Sequence, residues 1–273
     1  MTGRELVGCR VCGALKREPD TQKNGYKYGV CSGCGVSMIE PMANQDTLDE
    51  LYQKGFMEMK CDGVDQSKRF SLEYKETYFA EKDKDFIDLG YVFSDTDMKV
   101  LDVGCANGLF LDYLIEEKDI RAQGIDVSIE MIKMAVKNGF ACKCEKIEEA
   151  QGLYDLLTMW DTLEHIREPA AFLKKAAAIL NPGGDIIIQT PCRGVISDSY
   201  GAEWIQYQPP YHVHLFDFES LKLLLEKVGF DIVSWVRFGS GITEADLPVK
   251  PVFDRVAKEM KIGDTIVLWA KKR

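Results

Sequence analysis

No stretch of this sequence offers the ~18 consecutive apolar residues that a membrane-spanning helix needs, so no membrane partner is expected. The opening Met1-Thr-Gly-Arg-Glu5 has none of the apolar core of a secretory leader, and the expected compartment is the cytoplasm. Basic charge is scarce as well. Lys and Arg number 34 against 44 Asp and Glu, a formal net charge of −10. Proteins that grip a phosphate backbone usually carry the opposite sign, or at least a concentrated basic stripe. Here lysines are interleaved with acids, as in Glu81-Lys-Asp-Lys-Asp85, which predicts a solvated helix face. The closing Lys271-Lys-Arg273 reads as a solubilising end. Nucleic acid is therefore disfavoured as a substrate. Histidine is sparse too, three in 273 residues.

Cysteine is not lacking. There are nine, and without a leader they argue against a disulfide framework. Four fall into two C-x2-C-G units, Cys9-Arg-Val-Cys12-Gly13 and Cys31-Ser-Gly-Cys34-Gly35, separated by 18 residues. That spacing suits a tetrahedral four-cysteine zinc site, and the following glycines permit the tight turns that aim both sulfurs at one ion. Four thiolates leave no open position for water activation, so the expected Zn2+ is structural. Cys61, Cys105, Cys142, Cys144 and Cys192 show no metal spacing, and Cys142-x-Cys144 on a strand predicts two thiols packed on one face.

Along the chain, Asp46 and Asp49 predict a capped helix start before Leu51-Tyr52, and Ser67 to Phe93 predicts amphipathic helices lying over the next domain. From Met98 the pattern alternates. Strands are expected at 99–103, 122–127, 140–144, 153–160, 185–190, 231–236 and 264–270, with helices at 109–117, 130–138, 170–180 and 218–228. Such alternation implies an α/β fold with a mostly parallel sheet and helices on both faces.

The most informative stretch is Val100-Leu-Asp-Val-Gly-Cys-Ala-Asn-Gly-Leu-Phe110, a buried strand running into a Gly-containing turn and then a helix. Gly104 and Gly108 let the backbone turn tightly and approach a ligand. Gln123-Gly-Ile-Asp126 ends the next strand in a carboxylate, placed to accept hydrogen bonds from both hydroxyls of a ribose. A dinucleotide fingerprint would require glycine at 104, 106 and 109, where this chain has Gly104, Ala106 and Leu109. Asp102, just before the turn, would repel a pyrophosphate and attract a ligand amino group, which favours a methionine-derived methyl donor.

Asp102-x-Gly104-x-Ala106-x-Gly108 resembles the first motif of class I, Rossmann-like S-adenosylmethionine-dependent methyltransferases, with alanine at the middle glycine. Asp126 matches that family's ribose-binding acid. Trp160-Asp-Thr-Leu-Glu-His165 resembles the segment after its fourth strand, Leu180-Asn-Pro-Gly-Gly184 the turn before its fifth, and Gly263 to Ala270 its closing antiparallel strand. The resemblance implies a seven-stranded methyltransferase sheet over residues 95–273, preceded by a zinc module at 1–45 and a helical linker or lid at 46–94. It implies cofactor contacts from Asp102, Gly104, Ala106, Asn107, Gly108, Asp126, Val127, Trp160 and Asp161, with Lys146 and Ile147 flanking the adenine. The zinc units followed by Leu48-Asp-Glu-Leu-Tyr52 are similar to methyltransferases of sugar-modifying and polysaccharide clusters.

All three histidines fall where loops converge on the carboxyl ends of strands, the ligand side of such sheets: His165, His212 and His214. Tyr211-His-x-His214 resembles a stretch of sugar C-methyltransferases in which a histidine is the base. His212 is the first candidate base here, with His214 and His165 as competitors, because imidazole titrates near neutrality. Glu164 with His165 offers only two ligands for a divalent cation. Trp204, Tyr207 and Tyr211 are candidates to stack on an acceptor or to close its pocket. Gln208-Pro-Pro-Tyr211 looks like the motif of nucleobase amino-group methyltransferases, but it stands in the wrong place and begins with the wrong residue. The expected partner is a small-molecule acceptor, a sugar nucleotide or glycan precursor methylated on oxygen or carbon, with a homodimer allowed. The rival readings are a quinone or phenolic metabolite acceptor, a protein or RNA substrate docked through the zinc module, and a cofactor-binding protein that has lost catalysis.

Overall fold

In the computed structural model the described residues are 8–44, 47–48, 50–51, 60–61, 64–65, 74–242 and 248–273. Strands β1 (Arg17–Lys23), β2 (Tyr26–Cys31) and β3 (Ser37–Glu40) form an antiparallel meander carrying the two cysteine units. Two short strands, β4 (Lys60–Cys61) and β5 (Val64–Asp65), pair with each other. Asp46 and Asp49, expected to cap the first helix, lie outside the described residues; Thr47 N–H donates instead to Asn44 Oδ1 at 2.8 Å.

Helix α1 (Lys75–Leu89) follows, and then the alternation begins: β6 (Val100–Val103), α2 (Leu109–Lys118), β7 (Gln123–Asp126), α3 (Ile129–Lys137), β8 (Ala141–Cys144), β9 (Tyr154–Trp160), α4 (Pro169–Ala178) and β10 (Leu180–Pro191). The remainder is α5 (Val195–Tyr200), β11 (His214–Leu215), α6 (Phe218–Lys227), β12 (Phe230–Phe238), α7 (Lys250–Glu259) and β13 (Thr265–Lys272). The seven-stranded sheet has the order β12-β13-β10-β9-β6-β7-β8. Strands β6 to β10 pair in parallel, and β13 runs antiparallel to both β10 and β12. This is the seven-stranded, mostly parallel sheet expected from the sequence.

Period-two alternation distributes the central strands between two layers. Leu101, Val103, Leu157, Met159, Ile186 and Ile188 face one core, whereas Val100, Leu156 and Ile187 face the other. On the second face α1 lays Phe79, Phe86 and Leu89 against Phe110 and Tyr113 of α2. The first core also takes in Cys9, Val11, Cys31, Val36 and Met38 of the cysteine-bearing segment. That segment is further tied to the large domain by β11, which pairs with β3 (His214 opposite Met38) and makes a four-stranded sheet β1-β2-β3-β11.

Three expectations need correction. Lys82 and Asp85 are buried in α1, so Glu81 to Asp85 is not a wholly solvated face. They occupy the same stripe as Phe79, Phe86 and Leu89, and a mutual ion pair lets them stay there. Asn181-Pro-Gly-Gly184 lies inside β10, where the pairing with β9 shifts register between Leu180 and Asp185. Helices α5 and α7 had no counterpart in the sequence pattern. In α7, Val252, Phe253 and Val256 remain exposed, so its apolar residues do not mark a core face.

Candidate active site

The carboxyl ends of β6, β7 and β9 open onto one cleft, a cavity of about 2720 Å³. One wall of it is built from the turn after β6. Gly104 and Cys105 N–H both donate to Ile125 O of β7, at 2.8 and 3.1 Å, which draws the turn against the neighbouring strand. Gly104, Ala106 and Gly108 all have positive φ, 80°, 45° and 85°. Ala106 thus holds a left-handed conformation that costs a residue with a Cβ of order 1 kcal/mol or more. The glycines serve packing within the protein: an added Cβ would lie 2.3 Å from Thr162 Oγ1 at Gly104 and 2.5 Å from the Phe140 ring at Gly108.

Two acids flank this turn. Asp102 is almost fully buried, accepts a 2.7 Å hydrogen bond from Thr158 Oγ1 and is pushed up to about 7. Burial is the main cause, Thr158 opposes it, and Asp126 adds repulsion while Lys82 relieves it. Asp126 accepts Ser128 N–H at 2.7 Å and Ala106 N–H at 3.0 Å on its two oxygens, and burial raises it as well. Val127 N–H adds a third backbone hydrogen bond, which leaves part of the carboxylate's accepting capacity for a ligand hydroxyl. Of the sequence-predicted cofactor residues, Asp102, Gly104, Ala106, Asn107, Asp126, Val127, Lys146, Ile147, Trp160 and Asp161 line the cleft. Gly108 does not, and acts as the left-handed cap of α2.

At the other end stand two of the three histidines. Val213 N–H donates to Glu164 O at 2.9 Å, tying the segment after β9 to the loop before β11. This brings the rings of His165 and His212 to 4.8 Å. His165 Nδ1 meets Tyr211 O at 3.1 Å and His212 Nδ1 meets Gln206 O at 2.7 Å. A carbonyl can only accept, so both Nδ1 atoms are assigned the hydrogen. Burial lowers both imidazoles, His212 well below its ordinary value with His165 adding to the effect. His214 is elsewhere: wholly buried in β11, stacked on Phe216 at 5.8 Å and absent from the cleft wall. Trp204 and Tyr207 do not face an acceptor. They pack with Tyr28, Ile39 and Leu48 in a third core, with Trp204 Nε1 donating to Asp264 and Tyr207 Oη to Asp20, both at 2.9 Å.

Lys82 is the cleft residue that sequence reasoning missed. Its Nζ lies 3.6 Å from the centre of the Trp160 ring, 2.7 Å from Asp85 Oδ2 and 3.0 Å from Gln189 Oε1. The helical register with Phe79 and Phe86 carried that signal.

The four organised cysteines converge. Cys9 and Cys34 sulfurs are 3.6 Å apart, Cys12 and Cys31 are 3.5 Å apart, and all four lie within 4.8 Å. Tetrahedral zinc with Zn–S bonds of ~2.3 Å places its sulfurs ~3.8 Å apart, so the cage fits that ion. Gly13 and Gly35 have φ of 86° and 84°, and Val11 and Gly33 N–H point at Cys9 and Cys31 Sγ at 3.4 and 3.3 Å. Cys142 sits 3.8 Å from Cys105, but Cys144 is exposed, so the two strand thiols are not packed alike.

The family described as Methyltransferase domain matches residues 72–235. Among curated proteins, phosphoethanolamine N-methyltransferase 1 of Triticum aestivum is 29% identical over 79% of this chain and 47% of its own length. The ubiquinone biosynthesis O-methyltransferase of Idiomarina loihiensis is 32% identical over 40% of this chain and 50% of its own. The chain thus spans about half the length of these curated relatives. Among solved structures, the methyltransferase complexed with the Haloferax volcanii Trm112 activator superposes with a TM-score of 0.60 at 14% identity, covering 84% of this chain and 99% of that one. The plantazolicin methyltransferase bound to S-adenosylhomocysteine and a substrate analogue gives 0.56 at 16% identity, covering 84% and 96%.

Proposed function

Because this chain belongs to the methyltransferase-domain family, we propose that it transfers the methyl group of S-adenosylmethionine to a hydroxyl of a small-molecule acceptor, a sugar nucleotide or related glycan precursor. One observation carries the reading: Asp102 and Asp126 flank a left-handed turn that opens on the same cleft as His165 and His212. Asp102 suits the cofactor's ammonium, Asp126 its ribose hydroxyls, and Lys146 with Ile147 the edge of its adenine. The cofactor supplies an electrophilic methyl on a sulfonium, and the chain's task is to hold the acceptor oxygen in line behind it. Burial suits that task, since it strengthens each electrostatic contact in the cleft.

The acceptor proton leaves at the His165–His212 end. His212, the base expected from the sequence, is neutral at pH 7 in its buried position, and His214 has no route to the cleft. The zinc module braces this end. Tyr28 Oη donates to His212 O at 3.0 Å, and β3 pairs with the strand that follows. A structural Zn2+ on Cys9, Cys12, Cys31 and Cys34 therefore supports the acceptor wall through the meander.

The test is isothermal titration of S-adenosylmethionine, then transfer of labelled methyl to a panel of sugar nucleotides and catechols. Binding with labelling of a sugar nucleotide is the expected result; no binding overturns the proposal. Labelling of catechols alone establishes the second reading, a phenolic acceptor, which the name of the Idiomarina relative favours.

A further inference from the structure

Glu164 is a buried acid in the cleft wall. It is wholly buried, its Oε2 accepts from Thr190 Oγ1 at 2.9 Å, and its Oε1 has no hydrogen-bond partner among the described residues. Asp161, held at a positive φ of 48°, adds negative charge beside it. A buried carboxylate oxygen without a partner calls for a counter-charge. Around it, one ligand atom from each of Glu164, His165 and His212 lies within 4.8 Å of the others. His212 has its Nδ1 on Gln206 O, which leaves its Nε2 lone pair as the donor atom. His165 Nδ1 is set on Tyr211 O, and its ring also bonds the Asp161 backbone, a contact that a bound ion replaces. Backbone carbonyls holding the far nitrogens of paired imidazoles are the usual support for metal-binding histidines.

We propose that Glu164, His165 and His212 bind a divalent transition-metal ion that positions and acidifies the acceptor hydroxyl. The inference rests on the methyl-transfer reading and gives His212 the role of ligand in place of free base. Two imidazole nitrogens and one carboxylate oxygen suit Mn2+, Fe2+, Co2+ or Zn2+ better than Mg2+ or Ca2+, which favour oxygen. Three protein ligands leave positions open, and two neighbouring acceptor oxygens fill them, so the substrate class is a vicinal diol or catechol. The hydroxyl bound to the ion releases its proton to solvent water. A lone pair of the resulting oxyanion forms the new O–C bond as the methyl C–S bond breaks. The electron pair of that bond remains on sulfur, which becomes a neutral thioether.

The sequence placed Glu164 beside His165 but left His212 some forty-seven residues away; the Val213–Glu164 backbone bond supplies the third ligand.

The experiment is titration of Mn2+ alone into the full, zinc-loaded chain, followed by the EPR signal of the free ion. The expected result is about one Mn2+ per chain, with binding weakened at least about tenfold in Glu164→Gln and in His212→Asn. Glu164→Gln keeps the side-chain shape. Unchanged zinc content and unchanged S-adenosylmethionine affinity in both variants show that the fold and cofactor side are intact. Absence of Mn2+ binding by the parent chain, or equal binding by the double variant, overturns the proposal. Failure of the function reading would look different: the Mn2+ site would be present and S-adenosylmethionine would not bind.

Discussion

Replacing Asp102 by asparagine removes one charge from a position only 1% exposed to solvent while preserving an oxygen for the Thr158 hydroxyl. Burial pushes the Asp102 carboxyl up to about 7, whereas the unfolded chain titrates it near ~3.9. The gap is about 3 units at about 1.4 kcal/mol each, so an ionised Asp102 costs the ligand-free fold about 4 kcal/mol above pH 7. Between the two values the folded chain holds more protons than the unfolded one. Stability therefore falls as pH rises from ~4 to ~7 and levels off beyond, with no contribution below ~4. The same arithmetic gives a change of about 2–3 kcal/mol between pH 5 and pH 8 in the parent chain that Asp102→Asn lacks. Urea unfolding of both proteins at the two pH values measures it. In the proposed site a bound ammonium reverses the balance by stabilising the ionised form, and that proposal predicts a calorimetric affinity for S-adenosylmethionine that rises from pH 5 to 8 in the parent and stays flatter in the variant. Parallel stability curves for the two proteins would refute the reasoning.

Asp126→Ala is predicted to weaken S-adenosylmethionine binding strongly and also to cost about 2–4 kcal/mol of stability, since the backbone amides of Ala106, Val127 and Ser128 lose a charged acceptor. Asp126→Asn keeps one acceptor and should separate the two effects in paired calorimetry and denaturation. Lys82→Ala leaves Asp85 buried without its cation and should cost about 3–5 kcal/mol, whereas Lys82→Met with Asp85→Leu should recover much of it; a double-mutant cycle in urea reads the difference. The proposed Zn2+ site predicts about one zinc per chain, counted by a metallochromic dye, and its loss in Cys34→Ser with a lower melting temperature of the whole chain. A separate early transition confined to the N-terminal segment would contradict the shared core that joins Cys9, Val36 and Met38 to the main sheet.

Local chemistry made much of this protein legible. The parallel sheet could be read because Val100 to Val103 and Tyr154 to Trp160 are short apolar runs between helical periods, a pattern that neighbouring residues alone set. The acid-and-glycine turn from Asp102 to Gly108 was equally plain, since its chemistry lies within one stretch of chain. The cysteine units were legible because tetrahedral coordination demands a fixed local spacing. What the sequence could not decide is what depends on distant partners. Lys82 and Asp85 look solvated until the fold buries them against Trp160 and Gln189. His212 and His214 differ by two positions, yet strand pairing with Met38 turns one into the core and leaves the other on the cleft. The sequence alone determined the fold and the acid-and-glycine turn, because period and spacing are properties of the chain. Only the tertiary structure chose which histidines meet Glu164, because that choice is made by a hydrogen bond between segments some fifty residues apart.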